Sequence, residues 1–327
     1  MVIIMKRIIC LFTAIMLIAV LTAGCGNKNE NNKEPQVSSA ETGGEASGDA
    51  KNSDTGDKLK VVTSFYAMYD FAEKIGGDKV SVINMVPAGI EPHDWEPAAS
   101  DITNLEKAQV FIYNGAGMEH WVDTVLDSLS NKELVITEAS SGITLQKGHS
   151  EEEGTYDPHV WLNPENAKSE MNNIKEAFIK ADPNNEANYS ENYETYAAKL
   201  DALDKKYKET LTALENKDII VAHEAFGYLC NAYGLNQVGI EGLSPDSEPD
   251  PSKMEETIQF AKDNKVKVIF FEELVSPKVA ETIAKEVGVK TDVLNPLEGL
   301  SEDDIKAGGD YFSVMETNLT SLAEALK

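Results

Sequence analysis

The sequence predicts an α/β protein of two βα lobes, each with a central parallel sheet, joined by one long rigid backbone helix. Three observations carry this. Runs of β-branched residues alternate with amphipathic stretches from Leu59 to Thr137, the alternation resumes at Asp218, and the segment between contains a long stretch without Gly or Pro. Alternation of this kind places helices over parallel strands.

In the first half, Leu59–Ser64, Val80–Val86, Val110–Asn114 and Glu133–Thr137 read as strands. Ala67–Ile75, Ser100–Ala108 and Glu119–Ser128 read as the helices between them, and a further helix starts after the capping Asn163. From Asn185 to Glu215 the apolar residues Tyr193, Tyr196, Leu200, Leu203, Tyr207, Leu211 and Leu214 recur at spacings of three and four. That is a single stripe on one helix face. About thirty residues make a rod of ~45 Å, long enough to be a strut between two lobes; a coiled-coil dimerisation helix is the alternative. In the second half, Asp218–Ala222, Val266–Phe271 and Thr291–Leu294 read as strands. Asp250-Pro251 and Ser276-Pro277 each set a capping side chain before a proline at a first helical position. The expected boundaries are a first lobe over 58–184, the linking helix over 185–216 and a second lobe over 217–327.

Residues 1–24 have the layout of a secretory signal. Lys6 and Arg7 precede an apolar run from Ile8 to Leu21, then small residues and Cys25. The run is short for a membrane-spanning helix, which takes about 20 residues. Leu21-Thr-Ala-Gly-Cys25 resembles a bacterial lipoprotein signal, with Thr22 where Leu is commoner. The resemblance implies cleavage before Cys25 and a lipid on its sulfur, which holds the chain to the outer face of the cell membrane. Residues 25–57 are rich in Asn, Glu, Gly, Ser and Lys, the composition of a disordered tether. Without Cys10 and with Cys25 acylated, Cys230 stands alone in an apolar stretch and reads as a buried thiol with no disulfide partner.

The formal charge is −27, from 56 acidic and 29 basic residues. Binding to a nucleic-acid backbone needs clustered Lys and Arg, so that class of partner is excluded.

Of five histidines, three share a context. His93 lies in Pro92-His-Asp-Trp-Glu-Pro97, His159 in Asp157-Pro-His-Val-Trp-Leu-Asn-Pro164, and His223 directly follows the strand ending at Ala222. In open α/β sheets the crevice beyond the carboxyl ends of the strands is where ligands bind. Spacings of 66 and 64 residues are not those of a zinc finger. They put two histidines in the first lobe and one in the second, so a metal shared by all three would sit in the interlobe cleft. The residue pattern alone leaves that site and three separate half-buried histidines both open.

Five segments bear on the choice: Glu91-Pro-His-Asp-Trp-Glu-Pro97, Tyr113-Asn-Gly-Ala-Gly-Met-Glu119, Asp157 to Pro164, Val221-Ala-His-Glu-Ala-Phe-Gly-Tyr228 and Phe270-Phe-Glu-Glu273. In that order they resemble the solute-binding lipoproteins of zinc and manganese ABC importers, and the likeness covers the whole folded part. It implies that His93, His159 and His223 are metal ligands, that the cargo is Zn(II) or Mn(II), and that the partners are a membrane permease and an ATPase. It implies no catalysis, and a monomer is expected. Many members carry a ligand Asp in Leu-Asp-Pro-Leu, where this chain has Leu294-Asn-Pro-Leu-Glu-Gly-Leu300. The fourth ligand is therefore transferred to Glu298, with Glu272, Glu273 and Asn295 as further candidates. Three imidazoles and one carboxylate suit zinc better than manganese. Manganese relatives typically carry Glu where this chain has His223. Lys147 to Tyr156, with His149 and Glu151–Glu153, stands where zinc relatives often have a His-rich loop and reads as a solvated acidic loop. His120 reads as a surface or packing residue. Rival readings are an exported zinc hydrolase, in which Glu298 would be a general base, and an adhesin.

Overall fold

The structure, a computed structural model, describes residues 58–148, 156–245 and 251–327. The expected signal, Cys25, the tether, His149 and Asp250 lie outside them.

The first lobe runs β1 (Leu59–Thr63), α1 (Tyr66–Gly76), β2 (Val80–Asn84), α2 (Ala99–Lys107), β3 (Val110–Tyr113), α3 (Val122–Ser128), β4 (Val135–Glu138) and α4 (Pro164–Ala181). The helix α5 (Glu186–Leu211) follows. The second lobe runs β5 (Asp218–Val221), α6 (Gly227–Tyr233), β6 (Asn236–Gly239), α7 (Pro251–Asp263), β7 (Val268–Phe271), α8 (Lys278–Val287), β8 (Lys290–Val293), α9 (Glu302–Lys306) and α10 (Tyr311–Leu326).

Each lobe holds one all-parallel four-stranded sheet, ordered β2-β1-β3-β4 and β6-β5-β7-β8. The central strands are apolar on both faces, as Val61, Val62, Val110, Phe111 and Ile112 show, because helices cover both sides. In each sheet the strand order reverses beside its first strand, so the crevices beyond β1/β3 and β5/β7 are switch points.

Several boundaries differ from the sequence expectation for identifiable reasons. The helix expected from Glu119 starts at Val122, because the Glu119 carboxylate accepts hydrogen bonds from Ser64 Oγ, Asn114 N and Gly115 N. Those bonds close a turn in which Gly115, Ala116 and Gly117 all have positive φ. The strut ends at Leu211, earlier than the apolar stripe suggested, where Lys217 Nζ donates to the carbonyls of Leu211 and Thr212. At α8 the capping residue is Pro277, with no side-chain cap, so the expected Ser276 cap is absent. Asn163 does cap α4, accepting from Glu165 N. The strand β6 escapes pattern reading because Asn-Gln-Val-Gly offers one β-branched residue; its pairing with β5 defines it.

The strut is 26 residues long, which is ~39 Å. It is fastened along its length. Asn192 Nδ2 donates to Ile75 O, Phe178 packs on Tyr189 with ring centroids 5.4 Å apart, and Tyr207 OH donates to Met315 O at 2.7 Å. Tyr207 and Tyr233 pack at 4.9 Å. One continuous apolar core therefore contains α1, α4, α5 and α10. Free Cys230 is buried in it, and burial pushes its thiol pKa up, as an inert structural thiol requires.

Glu170 on α4 is fully buried, and neither carboxylate oxygen has a hydrogen-bond partner among the described residues. Burial, and then the Glu119 charge, hold its pKa well above the usual carboxylate range. A raised folded-state pKa means that stability is complete below the unfolded value, about 4.3, and is lost as pH rises through the folded value. In zinc-free protein, Glu170→Gln should match the wild type near pH 4. By pH 8 it should be more stable by at least about 1.4 kcal/mol, the equivalent of one pKa unit, because the amide stays neutral in that burial without binding a proton. Denaturant unfolding at both pH values checks this; a constant gap would contradict it.

Candidate metal centre

Each of the four residues is delivered by a loop beyond the carboxyl end of a strand: His93 after β2, His159 after β4, His223 after β5 and Glu298 after β8. The His93 loop is anchored from both sides. Trp95 meets Trp121 edge-on at 5.7 Å, His93 N donates to the Glu91 carboxylate, and Gly89 N donates to Leu300 O on the Glu298 loop. Trp161, two residues after His159, packs on Phe65 at 4.9 Å and donates from Nε1 to Pro296 O at 2.8 Å. That bond ties the His159 loop to the Glu298 loop across the lobes.

The structure brings His93, His159, His223 and Glu298 together, with one ligand atom from each within 4.8 Å of the others. His159 Nε2 lies 3.3 Å from both His93 Nε2 and His223 Nε2. Glu298 Oε1 lies 3.1, 2.8 and 3.3 Å from the Nε2 atoms of His93, His159 and His223. A tetrahedral zinc ion with bonds of about 2.0–2.1 Å has ligand–ligand edges of about 3.3–3.4 Å. Five of the six edges thus approach those of a zinc-sized tetrahedron, slightly contracted on the Glu298 side, and the sixth, between His93 and His223, lies within 4.8 Å. The side chains of His159 and His223 are fully buried, whereas that of His93 is 10% exposed. The way in from solvent is past His93.

Two further carboxylates set the imidazoles. Asp157 Oδ1 accepts from His159 N at 2.9 Å and from His159 Nδ1 at 2.8 Å. Glu272, which directly follows β7, accepts from His223 Nδ1 at 2.5 Å. With hydrogen on Nδ1, each Nε2 lone pair is free to face the centre. Glu272 thus meets His223 at Nδ1, and the carboxylate among the four converging groups is that of Glu298. Sequence reasoning misses Asp157 as a site residue; its signal is its place two residues before His159 in Asp-Pro-His.

Asn295 and Glu273 bond each other outside the cluster. Asn295 Oδ1 accepts from Leu297 N, and its Nδ2 donates to Glu273 Oε2 at 3.1 Å. This Asn-centred turn puts Leu297 at φ 61°, an unusual conformation for a leucine, and directs Glu298 inward. Exposed His120 bonds Glu96 Oε1 at 2.9 Å, remote from the four donors.

In the absence of a cation the centre holds charge with protons. Burial opposes protonation of His223, but Glu272 and then Glu298 overcome it and raise its pKa well above the ordinary imidazole value. His159 is raised too, against burial, chiefly by Asp157 and Glu298. His93 is lowered by burial. Glu298 is held well below the carboxylate range, against its own burial, by His223 and then His93. Metal must displace these protons. Raised values mean that competition begins above the ordinary imidazole pKa of about 6.5 and grows as pH falls. Metal binding at pH 7 should therefore release protons, and affinity should drop by roughly tenfold or more per pH unit below 6. Calorimetry in buffers of different ionisation enthalpy reads the release; pH-independent affinity from 5 to 8 would contradict it.

The chain is similar to known proteins along most of its length. Residues 61–325 match the family described as zinc-uptake complex component A, periplasmic. The high-affinity zinc uptake system protein ZnuA of Bacillus subtilis is 43% identical over 317 residues, 94% of each chain. The zinc-binding lipoprotein AdcA of Streptococcus pneumoniae is 41% identical over 278 residues, which is 82% of this chain and 56% of AdcA. Among solved structures, the Zn(II)-bound ZnuA-like domain of that AdcA superposes with a TM-score of 0.73, covering 82% of this chain and 99% of the domain at 41% identity. The laminin binding protein Lmb of Streptococcus agalactiae, described as having adhesin and metal transporting activity, superposes at 0.76 and 32% identity over 83% of this chain and all of its own. The chain belongs to the zinc-uptake complex component A family.

Proposed function

We propose that this protein captures Zn(II) outside the cytoplasm with His93, His159, His223 and Glu298 and delivers it to the permease and ATPase of an ABC importer. The observation that carries this is the convergence of three imidazole nitrogens and one carboxylate oxygen, drawn from both lobes, to within 4.8 Å of one another. Three nitrogens and one oxygen favour zinc over manganese, which prefers oxygen. Lipid on Cys25 holds the protein to the outer face of the cell membrane, with residues 26–57 as its tether, and it acts as a monomer.

No reaction is required. A hydrolytic zinc site keeps a position open for water, and its general base stands off the metal. Here Glu298 Oε1 itself occupies the fourth corner, so capture and release is the better reading. The strut is packed into both lobes, which favours small movements of the ligand loops over wide lobe rotation during loading.

Elemental analysis of the full chain, purified in mild detergent without added metal and again after zinc is offered and excess removed, tests the assignment. About one zinc per chain is expected. A chain that retains none after loading overturns it.

A further inference from the structure

The zinc-capture reading makes His159 a first-lobe ligand, and the structure shows what holds its orienting carboxylate from the other lobe. Asp157 is buried and cannot turn freely, because Oδ1 accepts both bonds from His159 and its own N donates to Gln146 O. Its remaining oxygen, Oδ2, lies against the first turn of α6. A Cβ added at Gly227 would stand 2.5 Å from Asp157 Oδ2, closer than carbon and oxygen can approach without displacement. Beside it, Tyr228 OH donates to Asp157 O at 3.0 Å and accepts from Gln146 N at 2.9 Å. Asn231 Nδ2 donates to Gln146 Oε1 at 2.7 Å. The backbone of Gly227 is helical with ordinary φ, so conformational freedom does not account for a glycine there; the space for Asp157 does.

We propose that Gly227 and Tyr228 are positioning residues of the zinc site: the first turn of α6 in the second lobe seats Asp157, and Asp157 aligns His159 Nε2 on the metal. The lobes then contribute to the site in two ways. They supply ligands, and the second lobe also sets the direction of a first-lobe ligand. Alignment of His159 is thereby tied to docking of α6 on Gln146 and Asp157, at a place that touches no metal. This inference rests on the zinc-capture reading.

The test is a double-mutant cycle on zinc affinity, measured by chelator competition on the full chain in detergent, with wild type, Gly227→Ala, Asp157→Ala and the pair. Loss of a carboxylate that orients a ligand histidine lowers metal affinity by about 10–100-fold. Gly227→Ala should fall by a similar factor, and the pair should fall no further than Asp157→Ala alone, because the added methyl has nothing left to displace. Losses that multiply would overturn the proposal, as would wild-type affinity in Gly227→Ala. Tyr228→Phe removes one hydroxyl and keeps the ring, so it serves if the alanine variant does not fold. It should bind zinc roughly fivefold more weakly, again with no further loss on top of Asp157→Ala. Wild-type affinity in Tyr228→Phe would equally overturn the proposal. Co(II) substituted for zinc gives a readout that mere destabilisation does not move: the visible absorption of tetrahedral cobalt should be altered in both variants and unchanged if they act only on stability. A wild-type chain that binds neither metal overturns the zinc-capture reading and this inference with it. Tight wild-type binding with unaffected variants sinks the inference alone.

Discussion

Replacing His223 by alanine is expected to lower zinc affinity by about 10³-fold, roughly one ligand's share of the binding free energy of a four-ligand site. The residue stands at the carboxyl end of β5, fully buried, with Nε2 3.3 Å from both His159 Nε2 and Glu298 Oε1. No described side chain outside the cluster replaces it: Glu272, its neighbour, follows an adjacent strand and is oriented by bonding His223 Nδ1. Truncation also acts on the zinc-free protein. At neutral pH His223 and Glu272 form a buried ion pair, so removing the imidazole leaves a carboxylate only 3% exposed without its partner. Breaking such a pair typically costs about 3–5 kcal/mol. The variant should therefore show both weak zinc binding and a lowered unfolding midpoint in chelator, read by competition titration and denaturant unfolding. Retention of one tightly held zinc would remove His223 from the ligand set. Loss of zinc with unchanged apo stability would instead show that the Glu272 contact contributes little to the fold.

The parts of this arrangement that are legible in the sequence are those fixed by short-range chemistry. Proline on both sides of His93 and His159, with Trp95 and Trp161 nearby, marks rigid turns, and those tryptophans are the anchors that hold the loops. The tyrosine and leucine stripe on α5 is legible because a helix face repeats every three to four residues. What cannot be read depends on pairings far apart in the chain. Glu272, Glu273 and Glu298 are equivalent as letters after late strands. Only the register of β7 against β5 and of β8 against β7 separates an orienting carboxylate from one that bonds Asn295 and one at the centre. The end of α5 depends on Lys217, and the start of α3 on Glu119 reaching back to Ser64, contacts that no local periodicity encodes. Helices α9 and α10 likewise escape the sequence reading, although α10 supplies Tyr311, whose hydroxyl bonds Trp161 O beside the His159 loop.

Glu298→Gln should lower zinc affinity on the order of 10²–10³-fold at pH 8, and the loss should shrink on acidification. The amide keeps the size of the side chain and removes the charge that faces three Nε2 atoms. Two consequences oppose each other. Zinc loses an anionic ligand, which weakens binding at every pH. Protons lose it too, since Glu298 helps to raise His223 and His159, so their folded-state values move down towards the ordinary imidazole range. Proton competition is weaker near pH 8 than near pH 6 in both proteins, so the ligand loss is seen more nearly alone there. Near pH 6 the wild type is already hindered by protons that the variant no longer holds as firmly, so the two affinities converge. A loss that is constant from pH 6 to 8 would mean that Glu298 does not govern the imidazole titrations. Asn295→Asp on the same background asks whether the carboxylate can come from the neighbouring position in the loop. Rescue is not expected, because position 295 faces Glu273 and closes the turn at Leu297, so a charge there meets another carboxylate rather than the histidines. Recovery of affinity in that double variant would require the loop to turn over and would move the fourth ligand out of position 298.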